Sequence, residues 1–139
     1  MTIHDSLSFK LFDRYSVVVP TGLIYEYDDS SDLRALRVTD EKKSFLVTFE
    51  EGASMNDMKS DVDGVPCIRL QCCHEDGKYV HMRRRCEGEI NEALFHFEIE
   101  NSEGVIHYLP GQMTASSGYT WSDSIEPPIM AILENINLL

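Results

Sequence analysis

The chain lacks the signatures that most often announce chemistry. It holds no glycine-rich nucleotide loop, no triad-type nucleophile signature, no C-x-x-C pair and no complete metal-ligand set. No apolar run approaches the roughly 18 residues that a membrane span needs. Basic residues are scarce, 12 against 24 acidic ones, for a net charge of −12. Phosphate backbones and anionic lipid surfaces repel such a chain, so neither nucleic acid nor membrane is expected as a partner, whereas a basic protein partner is attracted. Met1 to Lys10 carries His4 and Asp5 where a signal peptide carries positive charge. That points to a cytoplasmic protein, a trimmed secreted chain being the alternative. Cys67, Cys72, Cys73 and Cys86 crowd into one central segment, unlike a spread disulfide framework, so reduced thiols are expected.

What is present is strand patterning. Phe45-Val47-Phe49, Ile68-Leu70-Cys72 and Phe95-Phe97-Ile99 place apolar side chains at period two, the mark of strands with one buried face. With 139 residues, 42% hydrophobic and 26% charged, the chain is expected to form one globular domain over residues 1–139. No repeat, linker or low-complexity tract divides it.

Four hairpins are expected. Tyr15–Val19 and Leu23–Tyr27 flank Pro20-Thr21-Gly22, where proline and glycine supply turn dihedrals. Leu33–Val38 and Ser44–Glu50 form a second, with Val38 opposite Phe45 and Leu36 opposite Val47. In the third, Val65–Cys73 and Lys78–Cys86 surround Glu75-Asp76-Gly77. A two-residue turn there would mix both faces. A three-residue loop with Gly77 left-handed pairs His74 with Lys78 and gathers Ile68, Leu70, Cys72, Val80 and Met82 on one face, at the expense of Arg84. Burial decides register, so the second pairing is preferred, and Cys67 should not oppose Cys86. In the fourth, Glu92–Glu100 meets Val105–Leu109 through Asn101–Gly104, with Ile99 facing Ile106, Phe97 facing Tyr108 and Glu98 meeting His107 outside.

Ser54–Lys59 suits a short helix, and Gly111–Tyr119 reads as a small, polar loop. Beyond it, Asp123 or Ser124 can cap a helix with Pro127-Pro128 in its first turn. Ile129, Ile132, Leu133 and Ile136 follow as an apolar stripe that must pack on the sheet. The expected fold class is α+β: an antiparallel sheet of consecutive hairpins with the C-terminal helix, and room for one short helix, packed on it.

The order of parts resembles the PsbP-like α/β/α sandwich family. The matching pieces are Tyr15-Ser16-Val17-Val18-Val19-Pro20-Thr21-Gly22-Leu23-Ile24-Tyr25 and Ile125-Glu126-Pro127-Pro128-Ile129-Met130-Ala131-Ile132-Leu133-Glu134-Asn135-Ile136, the two ends of the chain. The four cysteines and the basic strand between them map onto no family site. The resemblance implies a non-enzymatic binding or accessory role and carries over no site residue.

Candidate chemistry concentrates in the third hairpin. Cys72, Cys73, His74, His81 and Cys86 offer soft ligands, but adjacent Cys72 and Cys73 point to opposite faces of a strand, so no metal and no cofactor are expected. Cys73 lies diagonal to His81, which raises a nucleophile pair, though an open sheet offers no visible oxyanion hole. Arg69, His81, Arg83 and Arg85 share one face and could grip an anionic ligand or an acidic segment. Pairing of these arginines with Glu98 and Glu100 is the competing expectation. Asp28-Asp29 with Asp32 lacks the pattern of a calcium loop and reads as a solvated turn. Tyr119 and Trp121 could form an aromatic contact or plug the sheet beneath a helix.

Two functions follow. One is a non-catalytic module that binds a protein partner or self-associates through its sheet. The other is a ligand-binding or enzymatic domain using a cavity between sheet and helix, with Cys73, His81 and the arginines at its mouth.

Overall fold

The computed structural model describes residues 7–29, 33–53, 68–74, 77–87, 90–116, 118–122 and 124–139, with backbone alone at residues 7, 68–74, 85–87 and 90–91. The elements run β1 (Leu7–Leu11), β2 (Tyr15–Val19), β3 (Leu23–Asp28), β4 (Ala35–Asp40), β5 (Phe45–Glu50), β6 (Ile68–His74), β7 (Lys78–Glu87), β8 (Ile90–Glu100), β9 (Ile106–Ala115), α1 (Pro127–Glu134) and β10 (Ile136–Leu138). Two antiparallel sheets result. The smaller has the order β1-β2-β10 and the larger β3-β4-β5-β9-β8-β7-β6.

The α+β expectation is therefore corrected to a mostly β fold. Three stretches account for the change. Leu7, Phe9 and Leu11 alternate as a strand, and β10 follows the helix at once. Gly111–Ala115, expected as loop, continues β9 and pairs with β5, Phe45 opposite Ala115 and Val47 opposite Met113. Among the described residues α1 is the single helix, eight residues long. The candidate helix at Ser54–Lys59 lies outside the described residues.

One core joins both sheets and the helix. Leu11, Tyr15 and Val17 of the small sheet meet Val38, Val47, Phe49, Phe95 and Phe97 of the large one, with Ile129, Leu133 and Ile136. Phe49 lies edge-on to Phe95, ring centroids 5.5 Å apart, and Phe97 completes the cluster at 5.2 Å from Phe95. Gly111, directly opposite Phe95 in register, makes room for that ring. A Cβ there would lie 2.5 Å from Phe95 Cζ and 2.9 Å from Phe49 Cε1. The glycine that suggested a loop is a strand residue under an aromatic ring.

The first expected hairpin separates. The Leu23 N–H closes the Pro20–Gly22 turn on the Pro20 carbonyl at 3.2 Å, but β2 pairs with β1 and β10 while β3 pairs with β4. The chain crosses between sheets at this turn. Phe9 stacks on Tyr25 at 5.0 Å, and the Phe12 N–H donates to the Tyr27 hydroxyl at 3.0 Å, so aromatics hold the crossing. Arg34 ties the same junction, donating to Asp13 at 2.8 Å and gripping Glu51 with Nε and Nη2. That hydrogen bond holds the Glu51 carboxyl below the usual carboxylate range.

The second hairpin keeps its faces and moves by two residues: Val38 opposes Val47, and Leu36 opposes Phe49. The longer loop is set by Asp40, whose carboxylate accepts the Ser44 N–H at 2.8 Å and the Ser44 hydroxyl, and by left-handed Lys43. The third hairpin has the expected register, with His74 opposite Lys78, Cys72 opposite Val80 and Leu70 opposite Met82, and Gly77 at φ +72°. Cys67 lies outside the described residues. The fourth slips by one residue, so that Phe97 opposes Leu109, Glu98 opposes Tyr108 and Ile99 opposes His107.

The helix is joined to the sheet by polar contacts as well as its apolar stripe. Pro127 and Pro128 occupy its first positions, and its N-cap is Glu126 rather than Asp123 or Ser124. The Glu126 carboxylate is fully buried and turned into the core. It accepts Arg84 Nη1 at 3.3 Å, the Tyr119 hydroxyl at 2.8 Å and the Ser122 N–H at 2.8 Å. Arg84, which register places on the inner face, also donates to the Ser122 carbonyl and lies over the Trp121 ring at 5.6 Å. Tyr119 and Trp121 therefore plug the core beside a buried ion pair. At the other end Lys78 Nζ donates to the Leu133 carbonyl at 3.2 Å, where the helix dipole favours a cation.

Candidate functional site

The outer face of the large sheet, turned away from the core, collects the side chains with chemistry to offer. Alternation decides which they are. On β7, Val80 and Met82 point inward, so Tyr79, His81 and Arg83 point outward; on β8, Phe95 and Phe97 point inward, so Leu94, His96 and Glu98 point outward. Register then makes direct neighbours of His81 and His96. Their rings lie nearly parallel, centroids 4.8 Å apart and planes 19° from one another. Glu98 Oε1 is 3.4 Å from His81 Nε2 and 3.3 Å from His96 Nε2. All three side chains are partly exposed, His81 the most and His96 the least.

Of the sequence candidates, His81 stands in this group and Arg83 does not reach an open surface, being only 4% exposed. Backbone pairing puts Arg69 opposite Arg83 and Arg85 opposite Glu92, which places the basic positions together on the sheet. Cys73 pairs with Tyr79, one step diagonal from His81. Glu98, expected either to meet His107 outside or to neutralise the arginines, instead stands between the two imidazoles. His96 was missed. The signal for it was present, because Phe95-Phe97-Ile99 already fixes His96 on the outer face, and the short Gly88-Glu89 connection implies that β7 and β8 are neighbours.

The cavity expected between sheet and helix, with His81 at its mouth, is corrected. Lys78 bonds the C-terminus of α1 from the inner face, and His81 has the opposite parity on the same strand. His81 and the helix are on opposite sides of the sheet.

Below the histidines, toward the β8–β9 turn, the outer face becomes apolar. Val105 is 51% exposed, Ile106 43% and Tyr108 49%, and Tyr79 stands across Glu98 from Tyr108. The turn itself explains this exposure. Asn101 Oδ1 accepts the N–H groups of Glu103 and Val105, both at 2.9 Å, and Gly104 takes φ +82°. This closes a three-residue loop on the Asn101–Val105 pair and turns Ile106 and Tyr108 outward. Glu100, opposite Ile106, and Glu103 in the loop are exposed beside them.

A concavity of about 490 Å³ lies toward the other end of the same face, lined by Ile24, Arg37, Thr39, Lys43, Leu46 and Thr114 among others. Among the described residues no helix is long and apolar enough to cross a membrane. No family model, curated protein or solved structure matches the chain.

Proposed function

We propose that this is a non-catalytic protein-binding domain, and that the β8–β9 end of its outer sheet face takes a partner segment combining an apolar anchor with basic residues. The exposed group Val105, Ile106 and Tyr108 carries this reading. Single exposed apolar residues are ordinary, but three within four positions, with Tyr79 one strand further on beyond Glu98, form a patch of the kind that partners cover. Tyrosine contributes large contact area at low entropic cost. Glu100 and Glu103 rim the patch, and the net charge of −12 steers basic partners toward it. The PsbP-like resemblance of the two chain ends points the same way, toward an accessory role without catalysis.

The test is selection of a displayed random-peptide library against the wild-type protein and against Ile106→Asp/Tyr108→Asp, with amide NMR to establish that the variant is folded. Selected peptides should pair an aromatic or aliphatic residue with lysine or arginine and lose binding to the variant. Peptides that bind both proteins equally overturn the reading. A concentration-dependent dimer, abolished by the same variant in sedimentation analysis, would make a second copy of the chain the occupant instead.

A further inference from the structure

We infer that His81, His96 and Glu98 form a binding site for a zinc-class divalent ion on the outer face of the large sheet. The inference is independent of the partner patch. It rests on three donor atoms brought together from two strands: the Nε2 atoms of two imidazoles and one carboxylate oxygen, with the ligand atoms of the three residues all within 4.8 Å of one another.

The spacing suits a metal. An ion held at about 2.0–2.2 Å from nitrogen and oxygen in tetrahedral geometry sets its donors about 3.3–3.5 Å apart. The two histidine–carboxylate edges are 3.3 and 3.4 Å, and the two imidazole nitrogens lie within 4.8 Å of each other. His96 Nε2 is in hydrogen-bond contact with Glu98 Oε1, and His81 Nε2 lies 3.4 Å from the same oxygen, so one carboxylate oxygen is shared between the two rings. A cation among the three replaces that shared acceptor with three donor–metal bonds, and water takes the remaining position.

The surroundings favour an ion as well. The ligands stand on paired strands, where register fixes their separation, and not on loops. Partial exposure lets the ion enter from solvent. Two imidazoles with one carboxylate are a borderline donor set that suits zinc over the all-oxygen shells of calcium or magnesium. The spacing His96-x-Glu98, with His81 across the strand pair, resembles no sequential zinc motif. Strand alternation and register assemble the site.

The experiment is titration of the chelator-treated full chain with Co²⁺, followed by its visible d–d absorption, and with Zn²⁺ by calorimetry. One equivalent should bind, with nitrogen and oxygen ligation and no sulfur-to-cobalt charge-transfer band. His96→Ala should weaken binding at least about ten-fold, since loss of even outer-shell partners costs that much. His81→Gln, at the most exposed of the three ligands, should do the same in a protein whose fold is checked by circular dichroism. His107→Gln, outside the cluster, should leave affinity unchanged. Absence of binding, a thiolate charge-transfer band that assigns the metal to the cysteines, or wild-type affinity in the His96 and His81 variants would each overturn the site.

Discussion

Two hairpins of the large sheet share a loop design and differ in how plainly their strands declare a face. Both β6–β7 and β8–β9 turn through three residues ending in a left-handed glycine, Gly77 in one and Gly104 in the other. In the first, the period-two apolar positions Ile68, Leu70 and Cys72 match Val80 and Met82 in one register, and the strands pair in it. In the second, β9 begins Val105, Ile106, His107, Tyr108, Leu109, with apolar residues on both parities. Pairing Ile106 with Ile99 looks reasonable and is wrong by one residue, which inverts every side chain of the strand. The loop settled what the strand left open. Asn101 clamps two N–H groups, Gly104 supplies positive φ, and Ile106 and Tyr108 are committed to solvent.

Each hairpin also has a weak point that can be broken. The largest effect is expected where the β6–β7 hairpin forces Arg84 inward. Removing its buried partner by Glu126→Ala should cost about 3–5 kcal/mol in urea unfolding, and the double change Arg84→Met/Glu126→Leu should recover most of it. Next comes Gly111→Ala on β9, which pushes a methyl into Phe95 and Phe49 and should cost about 1–3 kcal/mol by the same measurement. Gly77→Ala and Gly104→Ala should each lose about 1–2 kcal/mol, and by similar amounts, because both must hold an L-residue at positive φ. A negligible loss at either position would mean that the two loops are not built alike. The smallest effect discriminates most sharply. Ile106→Ser and Tyr108→Ser should stay within about 0.5 kcal/mol of wild type, whereas the alternative register would bury both and cost about 2–5 kcal/mol.

The same contrast runs through the candidate site. His81 was legible because the third hairpin's register and its buried face could be read together. Half of the legibility of His96 was there too, in Phe95-Phe97-Ile99, but its neighbour depended on pairing β7 with β8. Arg83 was placed on the right face, yet its burial could not be read from alternation, which gives a direction and not what lies over it. Lys78 and Arg84 reached carbonyls and a carboxylate in the C-terminal segment, more than 35 residues away in sequence.

Sequence by itself determined β2 to β8 and the start of β9, the register of the third hairpin and the helix with its apolar stripe, because these follow from local periodicity and turn stereochemistry. Only tertiary structure decided that β2 and β3 part into different sheets, that Gly111 lies beneath a phenylalanine in a strand, that Ile106 and Tyr108 face water, and that two histidines meet over one glutamate. Those outcomes depend on which strands become neighbours and at what offset, and residues distant along the chain settle that by the side chains they must bury together.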